Sequence, residues 1–270
     1  MGAAGIMALG SGAQRCRLRR GLGYACATLA MLAPWLIAIE AAAQSTPERG
    51  DLQFALLKYE GGNWNPRPNG LPRLAWETRR RTSIATELAT AQVEPASEAL
   101  FNYPLVVWQG DRDFATLTDA AVLGLRHYLT SGGTLLVDLS DATPDGPFDR
   151  AVRRELRRVM PERPIVRIPP EQVLYKSFYL LDRHGGRVPA RSYLEGIAIE
   201  GRMAVIVAAN DLAGAMARDE YGEWEYDVGA GGEAAREMSF RLGVNLVMYA
   251  LCLDYKEDQV PIPFILQRRR

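Results

Sequence analysis

Two pairs of carboxylates follow two apolar runs in this chain. Asp111 and Asp113 come after residues 104–108, and Asp138 and Asp141 come after residues 134–137, with Ser140 between the second pair. A carboxylate so placed could serve as a general base. Clustered aspartate oxygens also suit a hard cation, although Asp and Ser are ordinary turn and cap residues too. Ser140 as a nucleophile would need a histidine base. The chain has two histidines, His127 in an amphipathic helical stretch and His184 in an irregular one. Surface or turn roles suit both, so a Ser140–His pair depends on geometry alone. No His-x-Glu or Cys-x-x-Cys spacing points to zinc, and Gly61-Gly62 lacks the third glycine and immediate helix of a dinucleotide fingerprint. The expectation is no metal and no cofactor.

The elements that must position these residues alternate. An apolar run over 52–59 reads as a strand. A loop with three glycines, two prolines and Trp64 follows, and then a helix carrying Leu71, Leu74, Ala75 and Thr78 at helical spacing. Residues 82–89 continue that helix or begin a short second one, and 93–95 read as an edge strand. Residues 104–108 form a second clear strand with Pro104 at its start. Thr118 caps a helix bearing Ala121, Val122, Leu125, Tyr128 and Leu129, and Ser131-Gly132-Gly133 stops it before the strand that ends at Asp138. Residues 148–159 are helical, with Arg153, Arg154, Arg157 and Arg158 on a face that reads as solvated. From 161 to 191 the pattern is irregular, with 173–181 as its ordered piece. Two strands, 192–199 and 203–208, meet at a turn at Glu200-Gly201. A helix over 234–255 and an extended segment over 261–266 complete the chain. Strand, loop, helix, glycine and strand in this order predict parallel βαβ units. The expected fold is α/β, a doubly wound, mainly parallel, three-layer sheet of flavodoxin-like type.

The N-terminus carries Arg15, Arg17, Arg19 and Arg20, then an apolar stretch over 21–39, then Ala41-Ala42-Ala43. These are the three parts of a secretory signal peptide, with cleavage expected after Ala43. An uncleaved anchor is the alternative, since roughly 20 apolar residues can just span a bilayer. The domain division expected is a signal over 1–43, a polar tail over 44–50 and one α/β domain over 51–270, in the periplasm or secreted. Cys16 and Cys26 leave with the signal, so Cys252 alone remains and no internal disulfide can form. The mature chain has 28 basic and 31 acidic residues, a net charge of −3, which argues against nucleic acid as a partner.

Several spaced motifs stand along the chain in a set order. Lys58-Tyr59 and Gly61-Gly62-x-Trp64 come first, then Leu100-Phe101-x-Tyr103-Pro104 and His127-Tyr128-Leu129-x-x-Gly132-Gly133. Phe148-Asp149-x-x-x-Arg153-x-Glu155, Asp211-Leu212 and the run 243–251 follow. In these the mature chain resembles a bacterial family of unknown function, DUF4159, which is itself similar to the class I glutamine amidotransferase-like fold. The resemblance implies that fold, export or membrane attachment, and a place in cell-envelope assembly, but no assigned activity. An amidotransferase needs a cysteine at the elbow after a central strand. Asp138-Leu139-Ser140-Asp141 stands there instead, so glutaminase chemistry is not expected.

In a doubly wound sheet ligands bind beyond the carboxyl ends of the strands. That edge would gather Gly61, Gly62, Trp64 and Asn65, then Gln109, Asp111 and Arg112, and then Asp138, Ser140 and Asp141. Trp64 could stack on a sugar or peptide, or could plug its loop against the core. The expected function is a non-catalytic domain that binds an envelope protein or a small polar ligand at this edge. Membrane contact is expected only if the signal segment is kept as an anchor. The alternative is a hydrolase of a sugar or peptidoglycan-like substrate using Asp138 or Asp141.

Overall fold

A computed structural model describes residues 51–252. The predicted signal, the polar tail and the extended segment over 261–266 lie outside those residues.

The sheet is built from β1 (Ala55–Leu57), β2 (Ala91–Val93), β3 (Leu105–Gly110), β4 (Thr134–Leu139), β5 (Val166–Arg167), β6 (Glu195–Ile199) and β7 (Arg202–Ala208). Its order is β2-β1-β3-β4-β7-β6-β5. The first five in that order pair in parallel, and β6 and β5 add an antiparallel margin. The helices are α1 (Gly70–Arg81), α2 (Asp119–Thr130), α3 (Pro147–Val159), α4 (Leu212–Met216) and α5 (Gly232–Leu251). This is the doubly wound, three-layer α/β fold that the alternation predicted.

Strand alternation sorts the core into two layers. Val106, Trp108, Leu135 and Val137 point to the side closed by α2 and α3. Leu105, Val107 and Leu136 point to the side closed by α1, α4 and α5. Central strands covered on both faces explain why 104–108 and 134–137 read as continuous apolar runs. The Thr118 side chain accepts a hydrogen bond from the Ala121 amide and caps α2, as expected. Glu200 (φ +49°) and Gly201 (φ +82°) form the tight turn between β6 and β7.

The structure departs from the sequence reading in five places. The first strand shrinks to three residues because β2, its outer partner, is itself only three long; Leu52 reaches Thr86 by an isolated bridge. The edge strand lies two residues earlier than expected, and 82–89 is not helical. The arginine face of α3 is not simply solvated. Arg153 bonds Asp149 and Glu195, and Arg158 bonds Glu155 and the Leu117 carbonyl, so that face ties α3 to β6 and to the loop before α2. Helix α4 was unforeseen, because five residues carry no periodicity that a sequence can display.

Within the irregular stretch from 161, residues 174–179 are held by one buried side chain. Asn245 on α5 accepts from the amides of Phe178 (3.2 Å) and Tyr179 (2.7 Å), and donates to the carbonyls of Leu174 (3.0 Å) and Tyr179 (2.9 Å). A segment without its own ladder satisfies its backbone groups in this way.

Candidate functional site at the carboxyl edge of the sheet

The chain leaves β1 toward β2 on one side and β3 toward β4 on the other, so the winding reverses between β1 and β3. Ligands of doubly wound proteins favour such a switch point. The predicted residues Gly61, Gly62, Trp64, Asn65, Asp111 and Arg112 come from the two loops that flank it.

Those loops are packed against each other. A Cβ on Gly61 (φ +77°) would lie 2.8 Å from Ala115, and one on Gly62 would lie 2.8 Å from Phe114 and from the Tyr59 ring. The glycines therefore serve the close approach of the two loops. Tyr59, Trp108, Phe114 and Phe148 fill the space beneath, with Tyr59 and Phe114 centroids 4.7 Å apart. The Tyr59 hydroxyl donates to the Gln109 carbonyl at 2.8 Å. Trp64 is half-buried against both core layers, with the Lys58 ammonium 5.9 Å from its ring centre. Above this floor lies a polar platform. Asn63 donates to Asp111 at 2.8 Å, and the exposed Arg112 donates to the same carboxylate at 2.8 Å. Burial works to raise the Asp111 pKa, and its bonds to Arg112 and Asn63 outweigh that and hold it below the usual range.

A second polar group is buried on the α1 side of the sheet. Gln109 and Asp138 are register partners on β3 and β4, and both are buried there. Asp138 accepts from the amides of Leu212 (2.8 Å) and Ala213 (2.9 Å) at the start of α4. Burial and the neighbouring Asp211 charge push its pKa up to about 7, against the pull of those two amides. Asp211 sits in the left-handed region (φ +53°) and accepts from the Gly214 amide at 3.0 Å. Its carboxylate receives Arg67 through two nitrogens, at 3.1 and 2.8 Å, and Arg187 as well. Arg67 also donates to the Ser140 carbonyl at 2.8 Å and lies 4.1 Å from the centre of the Tyr226 ring. Burial works to lower the Arg67 pKa, and Asp211 more than offsets it. Loops after β1, β4 and β7 and the segment before β6 are thus joined through one carboxylate.

The predicted catalytic trio is not brought together as a reactive set. Asp138 is enclosed with both oxygens accepting from backbone amides. Asp141 is half-buried in its own turn with Thr143, where burial raises its pKa. The Ser140 hydroxyl is buried without a hydrogen-bond partner, as is the Gln109 amide, so neither histidine reaches Ser140. His127 is exposed in the last turn of α2, which leads into the opposite edge of the sheet. Among the described residues no three His, Cys, Asp or Glu side chains converge as a metal site, and no helix is long and apolar enough to cross a membrane.

Sequence reasoning passed over Arg67, Arg187 and Tyr226. Arg67 stands in the sequence as Pro66-Arg67-Pro68, a cation held in extended backbone, and Asp211-Leu212 is one of the motifs of the family resemblance. Those were the available signals, but only folding joins them.

Compared with known proteins, residues 53–251 match the family described as Domain of unknown function (DUF4159). No curated protein matches the chain.

Proposed function

We propose that this chain, which belongs to the DUF4159 family of domains of unknown function, is an exported, non-catalytic domain that binds a small polar ligand or an envelope protein at the carboxyl edge of its sheet. The observation that carries the reading is how the acidic residues of this edge are used. Asp138 is occupied by two backbone amides and Asp211 by two arginines, while Asn63, Asp111 and Arg112 face outward at the switch point. Buried charges so paired make a rigid frame, and outward polar groups on a rigid frame suit binding. Export rests on the basic n-region, the apolar stretch and the alanine triplet. A place in envelope assembly and a likeness to the glutamine amidotransferase-like fold belong to the same reading, and Asp138-Leu139-Ser140-Asp141 at the elbow position supports a member of that fold without its cysteine chemistry.

The test is a thermal-shift screen of the full chain against envelope-derived glycans and divalent metals, beside an Asp111→Ala/Arg112→Ala double variant. A ligand that raises the melting temperature of the parent and not of the variant is the expected result. Turnover of a glycan that is lost in Asp138→Asn would replace this reading with the hydrolase.

A further inference from the structure

The antiparallel margin of the sheet holds a cavity of about 180 Å³, separate from the platform described above. Its walls come from β5 and the residues just after it, from Ser192 and Tyr193 before β6, and from Tyr175 with residues 181–184. Its polar lining includes Arg167, Tyr175, Asp182, Arg183, His184 and Tyr193. Ligand pockets for larger organic molecules run from about 300 Å³ upward, so this volume suits a smaller molecule.

Three observations give the cavity a chemistry. Tyr175 is 3% exposed, yet its hydroxyl has no hydrogen-bond partner, and the Nδ1 atom of His184 is buried in the same condition. Buried polar atoms are ordinarily paired, and two unpaired ones on stacked rings (centroids 5.4 Å apart) in one cavity wall point to a polar group that belongs there. Arg167 makes no ion pair among the described residues, and its guanidinium lies 4.6 Å from the centre of the Tyr193 ring. Arg183 holds Asp182 at 3.3 Å, but both side chains are more than 70% exposed, so that pair is weak and easily exchanged. The lining therefore offers two guanidiniums against one carboxylate. Guanidinium forks match carboxylate and phosphate oxygens.

We propose that this cavity binds a small molecule through an oxyanion group, a carboxylate or a phosphate. Arg167 supplies the charge, and the Tyr175 hydroxyl donates to the anion. The aromatic faces of Tyr175 and Tyr193 flank its body. Burial lowers the His184 pKa and outweighs its hydrogen bond to the Ser192 backbone.

Calorimetric titration of the full chain with inorganic phosphate, and separately with benzoate, tests this and tells the two anion classes apart. The expected result is binding of at least one probe. Tyr175→Phe should weaken it at least about fivefold and Arg167→Gln at least about tenfold, the losses of one neutral and one charged hydrogen bond. Both variants should remain folded, since the first removes only a hydroxyl and the second an exposed cation. The Asp111→Ala/Arg112→Ala variant should bind like the parent, which separates this site from the carboxyl-edge platform. No heat from either probe up to about 20 mM, weaker than any useful affinity, overturns the proposal. So does undiminished binding by either single variant.

Discussion

Asp138 near the end of β4 and Asp211, beyond β7 at the start of α4, hold the same short stretch of backbone. Asp138 accepts from the amides of Leu212 and Ala213, and Asp211 from that of Gly214. The two carboxylates are buried together, but both arginines lie on Asp211. Burial, with the Asp211 charge beside it, pushes the Asp138 pKa up to about 7. The pair works as a clamp on the carboxyl edge, and it has measurable consequences.

The first is a pH dependence. Asp138 has a folded pKa near 7, above its unfolded value, so its contribution to stability is full below the unfolded pKa and is lost as pH rises through 7. Between pH 5 and 8 the parent should therefore lose stability relative to Asp138→Asn, as followed by urea midpoints. His184, whose pKa burial lowers, acts in the opposite sense in the same range and is common to both proteins. At pH 7 the Asn side chain leaves one amide of α4 unpaired, at a cost of about 1–3 kcal/mol. A difference between the two proteins that stays flat with pH would refute the assignment.

The two arginines should not be equivalent. Arg67 bonds Asp211 through two nitrogens and also holds the Ser140 carbonyl, whereas Arg187 contributes one nitrogen. Arg67→Met should cost about 3 kcal/mol, as expected when a buried carboxylate loses its main partner. Arg187→Met should cost distinctly less. Denaturant unfolding of both variants checks the order, and an inverted order would sink it.

Asn245 should be worth more than its volume. Asn245→Ala removes four hydrogen bonds to residues 174–179, each worth about 1 kcal/mol net, so a loss of about 2–4 kcal/mol is expected. Amide exchange should rise at Phe178 and Tyr179 first. Unchanged protection there would show that the segment is held by other means.

A stabilising change is available at the β6–β7 turn. Glu200 adopts φ +49°, where asparagine is tolerated better than glutamate. Glu200→Asn should add about 0.5–1 kcal/mol, visible as a raised melting temperature.

Export predicts a mature N-terminus at Gln44. Mass spectrometry of the protein from the periplasmic fraction of a bacterial host should find it, and full-length protein retained in the membrane would indicate an anchor instead.

The sequence by itself determined the fold class, because buried parallel strands must be apolar throughout and the stops between them must be glycine or polar. Runs at 104–108 and 134–137, the Thr118 cap and the Glu200-Gly201 turn are local statements that tertiary packing had no reason to override. It also named the edge where Asp111, Arg112 and Asp138 gather, since strand ends in such a sheet point one way. Only the tertiary structure decided what each of these residues does. Asp138, Asp141 and Ser140 look alike in sequence, but one is clamped on α4, one closes its own turn and one is buried unpaired. Arg67 and Asp211 are 144 residues apart, and nothing local in either predicts the other. Their meeting depends on the register of β4 against β7 and on a five-residue helix too short to announce itself. The same holds for Tyr175, His184 and Arg167, which share a cavity only because Asn245 folds an irregular segment back onto the sheet margin.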